Sequence, residues 1–259
     1  MKLINPTSIA GWLQPHSLEW YKQLGQLEGK YIYPWSSELA EPNGESIFDR
    51  EVTQMIGNQK VLDVGCGHGE FTLKCSEIAK EIIGFDVTET FIQAGSANQK
   101  TNVSFVLGNS KQELPFKNNE FDCAYVRKGP TSAYPDLKRV VKKGGTIIGL
   151  HPGDESNKEL PLLFPNLFEP GNGTPIFDAI TERMAVSNYS SSSIEVINSM
   201  EYIKSPEDLL KLRCFGQPPI IYETLKEKIF SEVDKVFQQN AVMEGLPVTF
   251  SRYLVRIVV

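Results

Sequence analysis

Cysteine and histidine are scarce in this chain, with four of the first and three of the second among 259 residues. Cys66, Cys75, Cys123 and Cys214 show no CxxC spacing, so neither a zinc module nor a dithiol redox pair is expected, and no metal site is assigned. Reduced thiols in a cytoplasmic protein are the expectation, with Cys123 a small core residue inside an apolar strand pattern. Long apolar runs are missing as well. Nowhere do about eighteen apolar residues follow one another, so no membrane association is expected. The opening Met1-Lys2-Leu3-Ile4-Asn5-Pro6 lacks the apolar stretch of a signal peptide. Surplus positive charge is also absent, because 26 Lys and Arg stand against 32 Asp and Glu for a net charge of -6. A phosphate backbone is held by excess Lys and Arg, so the overall balance gives no support to a nucleic-acid partner.

What remains is an ordinary globular composition, 41% hydrophobic and 22% charged, in a chain long enough for one large α/β domain. All three tryptophans, Trp12, Trp20 and Trp35, fall early, in a segment interrupted by Pro15, Pro34 and Pro42. Residues 1–55 are therefore read as a helical, aromatic cap, and 56–259 as the main domain. From residue 56 the pattern becomes regular. Strands are expected at Lys60–Asp63, Glu81–Phe85, Val103–Leu107, Phe121–Val126 and Thr146–Leu150. Helices are expected over Glu70–Lys80, Thr88–Asn98 and Pro135–Val141, the last ending in a basic turn, Lys142-Lys143, followed by glycine. Continuous apolar strands alternating with helices imply βαβ units in a parallel, doubly wound α/β sheet covered on both faces. The rhythm then breaks over residues 152–175, rich in proline and glycine, which read as a partly helical lid or substrate loop. Helices at about 176–188, from 206 and at about 219–239, and strands at Ile194–Ile203 and Thr249–Val259, complete a seven-stranded reading.

The strongest local signal is Val61-Leu62-Asp63-Val64-Gly65-Cys66-Gly67-His68-Gly69-Glu70, between a strand and a helix. Glycines at 65, 67 and 69 allow a tight turn and close backbone approach to a ligand at the carboxyl end of the first strand of the regular pattern. A dinucleotide loop would need GxGxxG, but Glu70 stands where the last glycine belongs. Asp63 would repel a pyrophosphate and welcome a cationic ligand carrying an ammonium and a sulfonium. Asp86, at the end of the next strand, is placed to accept bonds from ribose hydroxyls.

These residues resemble the class I S-adenosylmethionine-dependent methyltransferases. The likeness rests on the DVGCGHG loop, Gly84-Phe85-Asp86, Gly108-Asn109-Ser110 before Leu114-Pro115-Phe116, Asn119-Glu120-Phe121-Asp122, and Arg139-Val140-Val141-Lys142-Lys143-Gly144-Gly145. It implies a Rossmann-like, mostly parallel sheet with an antiparallel last strand, and S-adenosylmethionine as cofactor. By the same resemblance Asp63, Gly65, Cys66, Gly67 and Gly69 would face the methionine part, Asp86 the ribose, Val87 the adenine ring, and Asn109 and Ser110 the adenine edge. Family members often carry Asp where Asn109 stands, and an amide accepts without charge assistance.

On the acceptor side, Arg127 in Val126-Arg127-Lys128-Gly129-Pro130 is a candidate for pairing with an anionic substrate. His151, after the fifth strand of the regular pattern, is a candidate general base. No Asn-Pro-Pro-Tyr motif is present, which argues against DNA. Three functions share these residues. A small-molecule methyltransferase fits the acidic charge and the aromatic segment. A ribosomal RNA guanine methyltransferase fits the basic residues Arg127, Lys128, Lys138, Arg139, Lys142 and Lys143, although the N-terminal zinc module of those enzymes has no counterpart before Cys66. A protein that binds the cofactor without transferring its methyl is the third.

Overall fold

The computed structural model describes residues 3–98 and 100–259. In chain order the elements are α1 Leu18–Glu28, β1 Ser37–Leu39, α2 Gly44–Met55, β2 Lys60–Val64, α3 Glu70–Cys75, β3 Glu81–Asp86, α4 Glu89–Ser96, β4 Val103–Leu107, β5 Phe121–Arg127, α5 Tyr134–Val140, β6 Val141–Pro152, α6 Leu160–Leu163, α7 Pro175–Ser187, β7 Ser191–Ile203, α8 Pro206–Arg213, α9 Pro219–Asn240 and β8 Leu246–Val258. The strands form one sheet in the order β1-β7-β8-β6-β5-β2-β3-β4. Strands β2 to β6 pair in parallel, and β8 runs antiparallel to β6. The doubly wound, mostly parallel sheet with an antiparallel last strand is thus present. Among the described residues its strand count is eight, not seven. The additional strand, β1, has three residues, two of them exposed, and pairs antiparallel with the end of β7. A polar Ser-Glu-Leu stretch that short carries no apolar run to announce a strand.

The chain divides into two compact units, and residues 1–55 do not fall wholly in either. One unit comprises 42–154, 173–197 and 252–259; the other comprises residues up to Glu41 together with 155–172 and 198–251. The first has a core on each face of its sheet. Leu62 and Val64 of β2 pack with Ile83, Phe85, Ala124 and Val126 on one side. Val61 packs with Ile82, Cys123 and Tyr125 on the other. Adjacent residues of a strand point to opposite faces, so the continuous apolar sequence follows directly from two-sided burial. In the second unit Leu160, Phe164 and Leu167, from the stretch expected as a lid, are fully buried with Leu209, Leu210, Ile221 and Leu225. There too Trp20, Tyr31, Tyr33 and Trp35 surround the Phe215 ring, and Trp20 Nε1 donates to the Phe215 carbonyl at 2.9 Å.

One boundary differs in kind from the sequence expectation. Lys142-Lys143-Gly144-Gly145 is not the basic end of a helix but the start of β6. Pairing jumps from Phe121↔Val141 to Cys123↔Thr146, so this tetrapeptide bulges out of the ladder. Its glycines instead bond the chain's last residue, with Gly144 N–H donating to Val259 O and Val259 N–H to Gly145 O. Among the described residues, no helix is long and apolar enough to cross a membrane.

Helix α2 starts with a reciprocal cap. Asn43 Oδ1 accepts from the Glu45 and Ser46 amides at 2.9 and 3.1 Å, and Ser46 Oγ accepts from the Asn43 amide at 3.1 Å. Because Asn43 is buried, Asn43→Ala is expected to lower the unfolding free energy by about 1 kcal/mol. Urea denaturation checks this, as a reduced midpoint at constant slope; an unchanged midpoint would mean that the cap contributes nothing.

Candidate cofactor site

Within the unit built on 42–154, parallel pairing brings the carboxyl ends of β2, β3, β4 and β5 to one edge of the sheet. That edge carries Gly65–Gly69, Asp86 and Val87, Gly108–Ser110, and the segment from Lys128 to Ser132. The predicted cofactor residues are therefore neighbours. The turn after β2 is fixed by the Gly65 and Cys66 amides, which donate to the Phe85 carbonyl at 2.8 and 3.2 Å. Asp86 ties the same turn to its own strand, accepting from the Gly67 amide at 3.0 Å and the Thr88 amide at 2.9 Å. The Asp86 carbonyl accepts from the Gly108 amide at 2.9 Å, which aligns the next strand end.

Two glycines of the turn are required by geometry. Gly69 has φ +83°, and a Cβ there would lie 2.5 Å from the Phe105 ring, which also fills the space at Gly84 and Gly95. Gly65 has φ +78°, and a Cβ there would lie 2.7 Å from Gly129 Cα and 2.8 Å from Pro130 Cδ. The turn after β2 and the segment after β5 are thus in backbone contact, closer than any other residue type permits.

Asp63 is buried and points to the α3 side of the sheet. Its Oδ2 accepts from Thr72 Oγ1 at 2.6 Å and from the Tyr125 hydroxyl at 2.9 Å. Its Oδ1 is buried with no hydrogen-bond partner among the described residues. Burial pushes its carboxyl up from 3.8 to about 7, with the hydrogen bonds of Thr72 and Tyr125 opposing and Asp86 assisting. Burial also raises Asp86, against the bonds from the Thr88 and Gly67 backbone. A buried and a half-buried carboxyl group, both raised and the first with an orphaned oxygen, form an electrostatic setting that a cation relieves. Burial first, and then the charges of Asp63 and Asp86, hold the Cys66 thiol well above its ordinary value. Val87 is 38% exposed beside Asp86. Asn109 Oδ1 accepts from the Lys111 amide at 3.0 Å, and Ser110 Oγ lies 2.7 Å from Ser132 Oγ.

The two acceptor-side candidates are engaged within the protein. Arg127 Nε donates to Asp49 Oδ1 at 3.0 Å and its Nη2 to Glu45 Oε2 at 3.3 Å, with the guanidinium 4.8 Å from the Phe71 ring centre. Lys128 and Arg252 also reach Glu45, each at 3.2 Å. Burial raises the Glu45 carboxyl, but the charges of Lys128, Arg252 and Arg127 outweigh it and hold it below its ordinary value. His151 is 1% exposed, and its Nε2 lies 2.7 Å from the Tyr134 hydroxyl. Burial pushes its imidazole down from 6.5 to about 4, against a weaker opposing pull from the Gly129 backbone. The participants that the sequence does not announce are Thr72, Tyr125, Glu45, Asp49, Phe105 and Gly129. Each joins the site through tertiary contact rather than through a local motif.

The architecture defines the class, a Rossmann-like, mostly parallel α/β fold. Residues 61–145 match the family described as methyltransferase domain. Over these residues the chain is similar to methyltransferase domains. A demethylmenaquinone methyltransferase of Shouchella clausii is 34% identical over 116 residues, 39% of this chain and 47% of that protein. One from Staphylococcus carnosus is 30% identical over 121 residues, 42% of this chain and 48% of that protein. The chain thus spans about half the length of the curated relatives it matches. A crystal structure of a functionally unknown protein from Deinococcus radiodurans R1 shares the fold, with a TM-score of 0.64 at 20% identity over 93% of this chain and 97% of that one. A geranyl diphosphate methyltransferase in complex with sinefungin shows the same fold at a TM-score of 0.51 and 12% identity, covering 92% of this chain and 96% of that one.

Two stability measurements follow. Gly69→Ala combines left-handed backbone strain with a clash against Phe105, and a loss of about 1–3 kcal/mol is expected in chemical denaturation; a wild-type midpoint would contradict the packing described. For His151, a folded-state pKa below the ordinary value gives stability that is complete above about pH 6.5 and is lost as the pH falls toward 4. The difference in unfolding free energy between wild type and His151→Gln should therefore narrow over that window, by at most about 3 kcal/mol. A difference independent of pH would show that His151 titrates normally.

Proposed function

We propose that the chain binds S-adenosylmethionine at the Gly65–Gly69 turn and transfers its methyl group to a small-molecule acceptor. The observation that carries this reading is the convergence, on one edge of the sheet, of the three-glycine turn with the buried Asp63 and half-buried Asp86 carboxyl groups, which favour a cation. In this reading the Gly65–Gly69 backbone lies along the methionine part, and the Asp63 carboxylate offsets its positive charge. Asp86 accepts from the ribose hydroxyls, Val87 packs on the adenine, and Asn109 and Ser110 meet its edge. The bound cofactor supplies an electrophilic methyl group on a sulfonium. The protein's contribution is then alignment and the exclusion of water, for which a strong base is not required.

The ion pairs of the basic segment favour a small acceptor over RNA. Arg127 and Lys128 are paired with Glu45 and Asp49, Arg139 with Asp136, and Lys142 with Asp122. Side chains already neutralised within the protein give little to a phosphate backbone. The relatives named as acting on demethylmenaquinone and on geranyl diphosphate, both small molecules, point the same way.

Isothermal calorimetry with S-adenosylmethionine tests the binding, and transfer of labelled methyl to separate metabolite and rRNA pools tests the acceptor class. Saturable binding, label in the metabolite pool and a weakening of about tenfold or more in Asp86→Ala are expected. Label confined to rRNA would overturn the small-molecule reading. The pH dependence tests the role of Asp63. A cation stabilises its ionised form, so binding near pH 7 releases protons, and affinity should rise with pH until Asp63 is ionised in the free protein. In Asp63→Asn the dependence through pH 7 should flatten; an unchanged dependence would remove Asp63 from this role.

A further inference from the structure

The segment between β5 and α5, residues 128–133, touches both parts of the candidate cofactor edge. Gly129 Cα and Pro130 Cδ press on Gly65 of the glycine turn. Three residues on, Ser132 Oγ meets Ser110 Oγ at 2.7 Å, beside the segment assigned to the adenine. Both ends of this short strut are anchored on β6. At its start the Lys128 amide donates to the Leu150 carbonyl at 2.7 Å. At its end the hydroxyl of Tyr134, the first residue of α5, meets His151 Nε2 at 2.7 Å. Both Tyr134 and His151 are buried, and the Tyr134 carbonyl in turn accepts from the Tyr189 hydroxyl. Gly149 leaves the space for this pair, since a Cβ there would lie 1.8 Å from the Tyr134 hydroxyl oxygen.

We propose that His151 is a positioning residue, which acts with Tyr134 to hold the 128–133 strut against the glycine turn and Ser110 and so sets the width of the cofactor cleft. The strut has no slack at Gly129, where a Cβ would lie 2.4 Å from the Val64 carbonyl oxygen. Any shift of its α5 end is therefore passed to Gly65 on one side and Ser110 on the other. A base taking a proton from an acceptor would need a free ring nitrogen facing the substrate, whereas this Nε2 is occupied by a tyrosine hydroxyl in a buried setting. The neutral imidazole that burial enforces is also the form able to accept from that hydroxyl.

This inference rests on the cofactor reading above, and the test separates the two. Calorimetry with S-adenosylhomocysteine is run on wild type, Tyr134→Phe, His151→Gln and the double variant. Tyr134→Phe removes one oxygen and keeps the ring packing, and thermal melts confirm that each variant is folded. Weakening of about five- to tenfold is expected in each single variant, with little further loss in the double variant because both remove the same link. Ser132→Ala, which removes the strut's contact with Ser110, should weaken binding in the same direction without involving His151. In turnover assays KM for the cofactor should rise while kcat keeps its pH profile. Wild-type affinity in folded Tyr134→Phe would overturn the proposal, as would loss of kcat in His151→Gln with KM unchanged and the acid limb of the pH profile gone. Failure of wild type to bind S-adenosylhomocysteine would instead remove the cofactor reading itself.

Discussion

The turn after β2 and the segment after β5 meet at backbone distance, with Gly65 against Gly129 and Pro130, and the arrangement of the candidate cofactor edge depends on that contact. Parallel strands deliver their carboxyl ends to the same side, but pairing alone leaves the loops between strand and helix free to diverge. Here the loops are drawn together by the absence of side chains. The same economy operates at Phe105, whose ring occupies the volume that Cβ atoms would fill at Gly69, Gly84 and Gly95 and thereby joins the turn to β3 and α4. Backbone amides near the turn are consequently directed by packing before any ligand arrives, which lowers the ordering cost of binding.

Electrostatics complements that geometry. Asp63 is buried and Asp86 half-buried, both are raised above their ordinary values, and they are close enough for Asp86 to contribute to the shift at Asp63. A site of this kind is costly to the unliganded protein and selective for positive charge, since a cation restores the ionised state that burial opposes. Of the cationic residues nearby, Arg127 weakly favours the ionised form of Asp63, but all of them are paired elsewhere. Arg127, Lys128 and Arg252 are held on Glu45, and Arg127 also on Asp49, at the start of α2. The Asn43 capping box that fixes the first turn of α2 therefore also fixes the acid around which these cations gather.

How much of this could be read from the residue order depends on the range of the interactions involved. The parallel strands were legible because two-sided burial forces continuous apolar runs, and the glycine turn because strand, glycines and Asp63 lie within ten positions. Strand β1 was not legible, being three polar or half-buried residues whose partner, β7, lies more than 160 positions away. The expected basic helix end at Lys142 failed for a related reason: Val141 pairs with Phe121, a nonlocal bond that overrides the local cue of lysines followed by glycine. The sequence singles out Arg127 as a candidate for pairing with an anionic substrate and His151 as a candidate general base. Their partners, Glu45, Asp49 and Tyr134, could not be inferred from spacing, and it is those partners that decide what the two side chains do.

The most direct measurement is a crystal structure of the protein grown with S-adenosylhomocysteine. The account predicts nucleoside density along Gly65–Gly69, with both ribose hydroxyls within hydrogen-bonding distance of the Asp86 carboxylate and the adenine against Val87. Density at another location, or a ribose turned away from Asp86, would contradict it.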